Sequence, residues 1–159
     1  MKLIAGDLAP KFILKDQNNK THSLSEYLGQ WLLIYFYPKD FTPGCTTQAC
    51  GIRDNWESVQ SAGLTIVGIS GDSVEKHFKF VAKHDLPFSL LSDESKEVIK
   101  SYGSSVEKLV FGKKVIGISR DSFLIDPSGK ITKIYRKVKS AKHLDMILKD
   151  FSELKPKSF

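Results

Sequence analysis

The only two cysteines of the chain, Cys45 and Cys50, are its best candidates for covalent chemistry. They follow an apolar run, Trp31–Tyr37, in which every position is hydrophobic, as in a strand that is buried on both faces. Pro38 ends that strand, and Thr42-Pro43 has the N-cap and first-turn residue types that begin a helix. Cys45 is therefore expected in the first turn of a helix, where unpaired backbone N–H groups and the helix dipole favour a thiolate. A thiolate nucleophile is the first hypothesis.

The spacing of the two cysteines limits what they can do together. On an ideal helix, a step of five residues rises about 7.5 Å and turns about 140°, which places the two Cα atoms roughly 8.6 Å apart. A disulfide needs Cα atoms within about 7 Å of each other. Cys45 and Cys50 therefore either never bond to each other or bond only when this helix partly unwinds.

Three uses of this cysteine pair are open at this point. Zinc is disfavoured because two cysteines need a second pair of ligands, and the histidines are scattered, so we expect no metal. We expect the four histidines at the surface: His22, His77, His84 and His143. Two buried thiols that act only as small apolar side chains are an alternative. A redox pair is favoured by the helix-start position of Cys45 and by Thr42, whose hydroxyl can donate to a thiolate or an incoming oxygen.

The elements that must position this helix alternate between strands and helices. A short strand at 12–14 and a hairpin turn at 16–20 precede the central strand. The cysteine helix is expected to run to about Ala62, and the apolar strand Leu64–Ser70 follows it. Next come a helix, a strand at 88–91 and a short helix at 95–102. The expected inward face of the first of these helices is Val74, Phe78, Val81 and Ala82. Apolar strands that alternate with helices indicate a parallel core with right-handed crossovers.

The last third of the chain adds antiparallel structure. Residues 104–117 are the least decided segment, and a loop or a loose hairpin around Gly112 is expected there. Strands at 119–125 and 130–138 flank a Pro- and Gly-containing turn and form a hairpin. Ser140 then caps a final helix over 142–154, and residues 155–159 are expected to fray. This order predicts an α/β thioredoxin-like fold, with a central mixed sheet flanked by helices and an extra N-terminal β-hairpin.

Length and composition are those of an ordinary globular protein. We expect a single domain over residues 1–159, since 41% of the residues are hydrophobic and 26% are charged. The net charge of +6 raises the question of nucleic acid, but the basic residues are spread out and form no known motif, which favours a solvated basic surface. No apolar run is long enough to span a membrane, and the N-terminus lacks a signal peptide's apolar core. A cytoplasmic location with reduced cysteines is therefore expected.

The spacing of Pro38, Thr42 and Cys45 resembles the active-site motif of peroxiredoxins. The longer run FYPKDFTPGCTTQACGIRD is similar to that of the peroxiredoxin Q (bacterioferritin comigratory protein) subfamily. The segments GDLAPKF, VGIS, HDLPFSLLSD and RDSFLIDPSGKI also resemble family stretches, so the resemblance covers nearly the whole chain. It implies that Cys45 is the peroxidatic cysteine, that Cys50 resolves it through an intramolecular disulfide, and that Arg120 points its guanidinium at the thiolate.

The resemblance also implies a reaction and its partners. Such a thiol peroxidase reduces hydrogen peroxide and organic hydroperoxides without a cofactor, and a dithiol reductant, by resemblance thioredoxin, restores the thiols. Thr42 would hold the peroxide through its hydroxyl, Pro38 would limit water access to the thiolate, and the working form would be a monomer. The alternative is a non-catalytic thiol redox sensor or binding module on the same fold, because function lies in the site and not in the fold.

The roles of four further residues near the motif can also be considered from the sequence. Asp121 follows Arg120 where the family often has a small residue, and strand alternation predicts that its carboxylate points away from the site. Asp40 is expected to cap its own loop. Gln48 and Arg53 fit a role in supporting the site and a place on the surface equally well.

Overall fold

A mixed β-sheet organises the chain in the computed structural model, which describes residues 2–154. The strands among these residues are β1 (Ile13–Lys15), β2 (Thr21–Ser23), β3 (Trp31–Phe36), β4 (Leu64–Ser70), β5 (Ser89–Ser92), β6 (Ser105–Val110), β7 (Lys113–Ile118), β8 (Ser122–Ile125) and β9 (Ile131–Tyr135). The α-helices are α1 (Pro43–Asp54), α2 (Trp56–Ala62), α3 (Val74–His84), α4 (Glu97–Ser101) and α5 (His143–Leu154). Short 3-10 helices cover Leu24–Tyr27 and Ser140–Lys142.

Strand β3 lies near the middle of the seven-stranded sheet, whose order is β2-β1-β5-β4-β3-β8-β9. It pairs in parallel with β4, which pairs in parallel with β5, whereas β8 lies antiparallel along the other edge of β3. Core clusters cover both faces: Leu33 and Tyr35 belong to the cluster under α1 and α5, and Leu32 and Ile34 to the opposite one. The predicted mixed sheet and the N-terminal hairpin β1–β2 are confirmed.

The helix that carries the cysteines is shorter than predicted. It begins at Pro43 as expected but ends at Asp54, and α2 begins two residues later. Asn55 separates the two helices with φ −117° and ψ 22°. Its side-chain amide donates to the Gly51 carbonyl at 2.9 Å, which satisfies an acceptor of the last turn. The prediction of one helix to Ala62 was therefore wrong at this break.

The predicted inward face of α3 was right at Val81, which packs against the core, but wrong at Phe78 and Ala82. Phe78 is 55% exposed and Ala82 is exposed, whereas His77 and Phe80 are completely buried. The position of His77 explains the difference, because its ring nitrogens bind Asp40 and a backbone carbonyl inside the protein. A pattern of apolar residues does not reveal these hydrogen bonds. The buried face of α3 is therefore rotated relative to the predicted apolar stripe.

The expectation of surface histidines was wrong for three of the four. His22, His77 and His143 are buried, and His84 is half-buried. Each buried ring has a polar partner: His22 Nε2 lies 2.6 Å from an Asp16 carboxylate oxygen, and His143 Nε2 lies 2.7 Å from the hydroxyl oxygen of Ser122. These partners offset the cost of burying an imidazole, and several of them are distant in the chain.

The undecided segment 104–117 contains the β6–β7 hairpin. Its turn consists of Phe111 and Gly112, with φ values of 51° and 76°, as the two central residues of a type I′ turn require. The side chains of Leu109, Phe111 and Ile116 are exposed. The expected hairpin around Gly112 is confirmed, and its tip carries apolar surface.

Two further expectations concern the ends of the molecule and the membrane. Within residues 2–154, no helix has the length and apolar character needed to cross a membrane. The predicted fraying of residues 155–159 lies outside the described part of the chain.

Candidate active site

Cys45 lies where the sequence predicted it, in the first turn of α1. Strand β3 ends at Phe36, a six-residue loop follows, and Pro43 is the first residue of the helix. Thr42 occupies the N-cap position with an extended backbone, φ −78° and ψ 149°. The Cys45 side chain is only 1% exposed and belongs to the core cluster that contains Tyr35. Burial alone is compatible with a thiol that acts only as a small apolar side chain. Whether Cys45 is reactive depends on its polar neighbours.

Arg120 is the cation next to Cys45. Its Nη2 donates to Cys45 Sγ at 3.5 Å, and its Nη1 donates to the Gln48 side-chain oxygen at 2.7 Å. Arg120 lies just before β8 and not on a strand, and its own carbonyl accepts from the Val138 N–H at 2.8 Å. Both bonds of the guanidinium therefore go to α1, and a permanent positive charge faces the sulfur.

Gly44 permits this close approach of Arg120. A Cβ built at Gly44 would lie 3.1 Å from Arg120 Nη2 and 3.2 Å from Ser140 Oγ. Contacts this short are tighter than nine in ten real Cβ contacts, so a side chain here would require its neighbours to shift by a few tenths of an ångström. The start of α1, Arg120 and the turn before α5 therefore meet at one crowded point.

Asp121 points away from the sulfur, as predicted, although neither it nor Arg120 lies on a strand. Its carboxylate accepts from the hydroxyls of Ser104 and Ser119 and from Arg136 Nη1, at 2.7 to 2.8 Å. Burial alone would raise the pKa of Asp121, but these bonds and one from the Lys137 N–H outweigh it and lower that pKa. Because Arg136 pairs with Asp121, the Asp121 charge does not compete for Arg120.

Thr42 has a hydrogen-bond partner in the loop, whereas Pro38 lies at the surface. The Thr42 hydroxyl donates to the Lys39 carbonyl at 2.7 Å and makes no capping bond to the helix. Its hydrogen is therefore occupied, and the oxygen lone pairs are what it can offer to a ligand. Pro38 is exposed, two residues beyond the end of β3. Its shielding of the thiolate stays a prediction.

Cys50 lies in the middle of α1, half-buried, and both cysteines are free thiols. Gln48 and Arg53, the residues of this helix whose roles were open, differ in what they contact. Gln48 is buried and holds Arg120, so it supports the site. Arg53 binds Asp54 and donates to the carbonyl of His84, at the other end of the helix.

Sequence reasoning missed the buried partners of the loop between β3 and α1. Asp40 does not cap its own loop as predicted: its two carboxylate oxygens each lie 2.6 Å from a partner, the Tyr37 hydroxyl and His77 Nδ1. The sequence showed only that an acidic residue follows an apolar strand. His77 lies 37 residues further along the chain, and no local pattern connects the two.

Comparison with known proteins assigns this site to a family. The AhpC/TSA family model matches residues 5–134. Peroxiredoxin Bcp of Escherichia coli (strain K12) is 48% identical over 146 residues, which are 92% of this chain and 94% of that protein. Peroxiredoxin Bcp of Bacillus subtilis (strain 168) is 45% identical over 156 residues, 96% of this chain and 99% of that protein.

Solved structures give the same assignment and confirm the predicted thioredoxin-like fold. Xanthomonas campestris peroxiredoxin Q superposes with a TM-score of 0.85 at 38% identity, covering 90% of each chain. A mutant of Xylella fastidiosa PrxQ gives 0.89 at 32% identity, covering 96% of this chain and 98% of that one. The chain therefore belongs to the AhpC/TSA family and, within it, to the Bcp/PrxQ peroxiredoxins, which are thiol-dependent peroxidases.

Proposed function

We propose that Cys45 is the nucleophile of a thiol peroxidase that reduces hydrogen peroxide and organic hydroperoxides. The observation that carries this proposal is the 3.5 Å contact from Arg120 Nη2 to Cys45 Sγ at the start of α1. A fixed cation and a helix N-terminus both favour the thiolate over the thiol. Organic peroxides are included because the Xanthomonas campestris bacterioferritin comigratory protein, 37% identical over 89% of this chain, is described by an alkyl peroxide reduction activity.

In the proposed first step, the Cys45 thiolate attacks one oxygen of the peroxide. An S–O bond forms and the O–O bond breaks, so that Cys45 is oxidised to a sulfenic acid and the leaving oxygen takes up a proton as water or an alcohol. Arg120 and the backbone N–H groups of Gly44 and Cys45 stabilise charge on the peroxide oxygens. Thr42 accepts a hydrogen bond from the peroxide O–H, since its own hydrogen is used on Lys39.

In the proposed second step, the Cys50 thiol condenses with the sulfenic acid and releases water. The disulfide that results requires α1 to unwind locally, because both cysteines lie within one continuous helix. A dithiol reductant of the thioredoxin class then restores both thiols by exchange. We place this cycle in the cytoplasm, where reduced thiols are the resting state.

A coupled assay tests the proposed function. Thioredoxin and its NADPH-dependent reductase should support peroxide-dependent NADPH oxidation by the wild-type chain. Hydrogen peroxide and an organic hydroperoxide should be tested separately, and an inert wild type with both would refute the peroxidase.

Single-cysteine variants assign the two roles. Cys45→Ser should abolish turnover, because the nucleophile is removed, whereas Cys50→Ser should complete one reduction and stop at the sulfenic acid. Mass spectrometry after dimedone labelling measures that intermediate. Turnover by Cys45→Ser, or sustained turnover by Cys50→Ser with thioredoxin, would contradict the assigned roles.

A further inference from the structure

A buried polar network lies behind the loop that joins β3 to α1. The Tyr37 hydroxyl donates to one carboxylate oxygen of Asp40 at 2.6 Å, and His77 Nδ1 lies 2.6 Å from the other oxygen. The exposed fractions of all three residues are 1% or less. The proposed peroxidase chemistry uses none of these side chains, so the network needs its own explanation.

Both ring nitrogens of His77 have partners inside the protein. Nδ1 faces the Asp40 carboxylate, and Nε2 faces the carbonyl oxygen of Leu91 at 3.2 Å, so both nitrogens face acceptors. The short contact of Nδ1 with the Asp40 carboxylate makes Asp40 and His77 a buried hydrogen-bonded pair. A buried pair of this kind is costly to break, because removal of one partner leaves the other without its hydrogen bond.

A divalent cation is a poor explanation for the same residues. Asp40, Asp72 and His77 offer atoms within 4.8 Å of one another. The Asp72 carboxylate, however, already accepts from the Ser70 hydroxyl at 2.7 Å and pairs with Lys76 Nζ at 3.2 Å. His77 Nδ1 is also bound to Asp40. The oxygen and nitrogen atoms that a metal would need therefore already take part in hydrogen bonds and ion pairs.

The network holds the backbone of the loop at several points. The backbone N–H of Asp40 donates to Asp72 at 2.8 Å, and the Phe41 ring packs edge-on against Phe80 of α3 at 5.1 Å. The residue before Asp40 is Lys39, whose carbonyl accepts the Thr42 hydroxyl at 2.7 Å. A shift of Asp40 would therefore move the carbonyl that orients Thr42.

We infer that His77 is a positioning residue for peroxide reduction. Through its hydrogen bond with Asp40 it holds the Lys39 carbonyl in place, and that carbonyl turns the lone pairs of Thr42 towards the peroxide beside Cys45. This inference rests on the proposed roles of Cys45 and Thr42. It assigns to α3, on the far side of the loop, a part in binding the peroxide rather than in activating the thiol.

Two substitutions of His77 separate its two hydrogen bonds. His77→Asn keeps a donor near the position of Nδ1 and so keeps a bond to Asp40, whereas His77→Gln keeps one near Nε2, towards Leu91. We expect His77→Gln to lower the rate constant of Cys45 oxidation by peroxide about tenfold and His77→Asn to recover most of it. The matched control is His22→Gln: this ring is also buried and lies 2.6 Å from an aspartate, Asp16, but its bonds do not reach the loop, so that rate constant should stay unchanged.

Alkylation of Cys45 by iodoacetamide provides the second readout. It requires the thiolate but no oriented peroxide, so its rate should stay within about twofold of wild type in every His77 variant. Parallel losses in alkylation and oxidation would overturn the positioning role, as would an unchanged oxidation rate in His77→Gln. If His77→Gln does not fold, Asp40→Asn, which keeps the side-chain shape, takes its place with the same expected outcome.

A double variant tests whether His77 acts through Thr42. Thr42→Val removes the hydroxyl, so adding His77→Gln should cost little more peroxide reactivity than Thr42→Val alone. Independent, multiplying losses would overturn the proposed chain of contacts. A wild-type chain that does not react with peroxide would refute the proposed function itself. A reactive wild type with a fully active His77→Gln would refute only this inference.

Discussion

At the scale of single residues, Gly44 determines how closely Arg120 approaches the first turn of α1. Gly44→Ala would place a methyl group about 3.1 Å from Arg120 Nη2, so the guanidinium beside Cys45 must shift by a few tenths of an ångström. We expect peroxide oxidation and iodoacetamide alkylation of Cys45 to slow together, by about threefold, since the contact between the cation and the thiolate is disturbed. Stopped-flow fluorescence and alkylation kinetics measure the two rates.

Gly51→Ala is the matched control for this change. Gly51 lies in the same helix, and a Cβ there would meet nothing within 4 Å. Both Cys45 rates should match wild type. Wild-type rates in Gly44→Ala would show that the Arg120 contact does not govern thiol reactivity.

The buried side chain of His143 makes the stability of the protein depend on pH. Burial, and then the nearby Arg120 cation, lower the pKa of His143 from 6.5 to about 4. As the pH falls through this window, the unfolded chain takes up a proton that the folded protein refuses, so the free energy of unfolding decreases. The loss at the acidic end is on the order of 3 kcal/mol.

Urea unfolding at several pH values between about 4.5 and 7 measures this loss, and His143→Gln should remove it. Carboxylates such as Asp121 and Asp150, whose pKa lies below the usual 3.8, lose their contribution only at lower pH. Identical pH slopes for wild type and His143→Gln would contradict the assignment to this residue.

At the scale of elements, α1 must be both formed and opened during the proposed cycle. Gly51 is the helix residue next to Cys50, and Ala is favoured over Gly in a helix interior by about 1 kcal/mol. Gly51→Ala should therefore slow disulfide formation about fivefold while peroxide attack keeps its rate. Rapid-quench trapping of the sulfenic acid separates the two steps, and equal rates of disulfide formation would contradict local unwinding.

Amide hydrogen exchange follows the same transition directly. The oxidised protein should lose protection over residues 45–51, because a disulfide between Cys45 and Cys50 is incompatible with the helix. The control is α5, which contains neither cysteine and should keep its protection in both redox states. Unchanged protection of α1 after oxidation would show that the disulfide forms without unwinding.

At the scale of the whole molecule, the β6–β7 hairpin bears on the predicted monomer. Its exposed apolar side chains are Leu109, Val110, Phe111, Val115 and Ile116. We expect a monomer by light scattering. Phe111→Asn, which gives an Asn-Gly type I′ turn and removes the most exposed ring, should leave that mass unchanged and raise the midpoint of thermal unfolding by a few degrees. A larger mass that Phe111→Asn dissociates would show that this hairpin is an interface.

Local features of the sequence were sufficient for the framework of the site. The apolar run of β3, the turn residues after it and Pro43 at the helix start are local determinants, so they placed Cys45 in the first turn of a helix. Helix geometry then excluded a Cys45–Cys50 disulfide in an intact α1. The order of strands and helices also predicted the mixed sheet, because burial on two faces produces continuous apolar runs.

The remaining features depend on residues that meet only in the folded chain. The 3.5 Å contact of Arg120 with Cys45, the support by Gln48 and the hydrogen bond of Asp40 with His77 join positions 37 to 75 residues apart. The inward face of α3 was mispredicted in part for the same reason, because a buried histidine needs a polar partner and Asp40 lies 37 residues away in the chain. Periodicity describes how an element can be buried, and the tertiary structure decides which polar partners meet there.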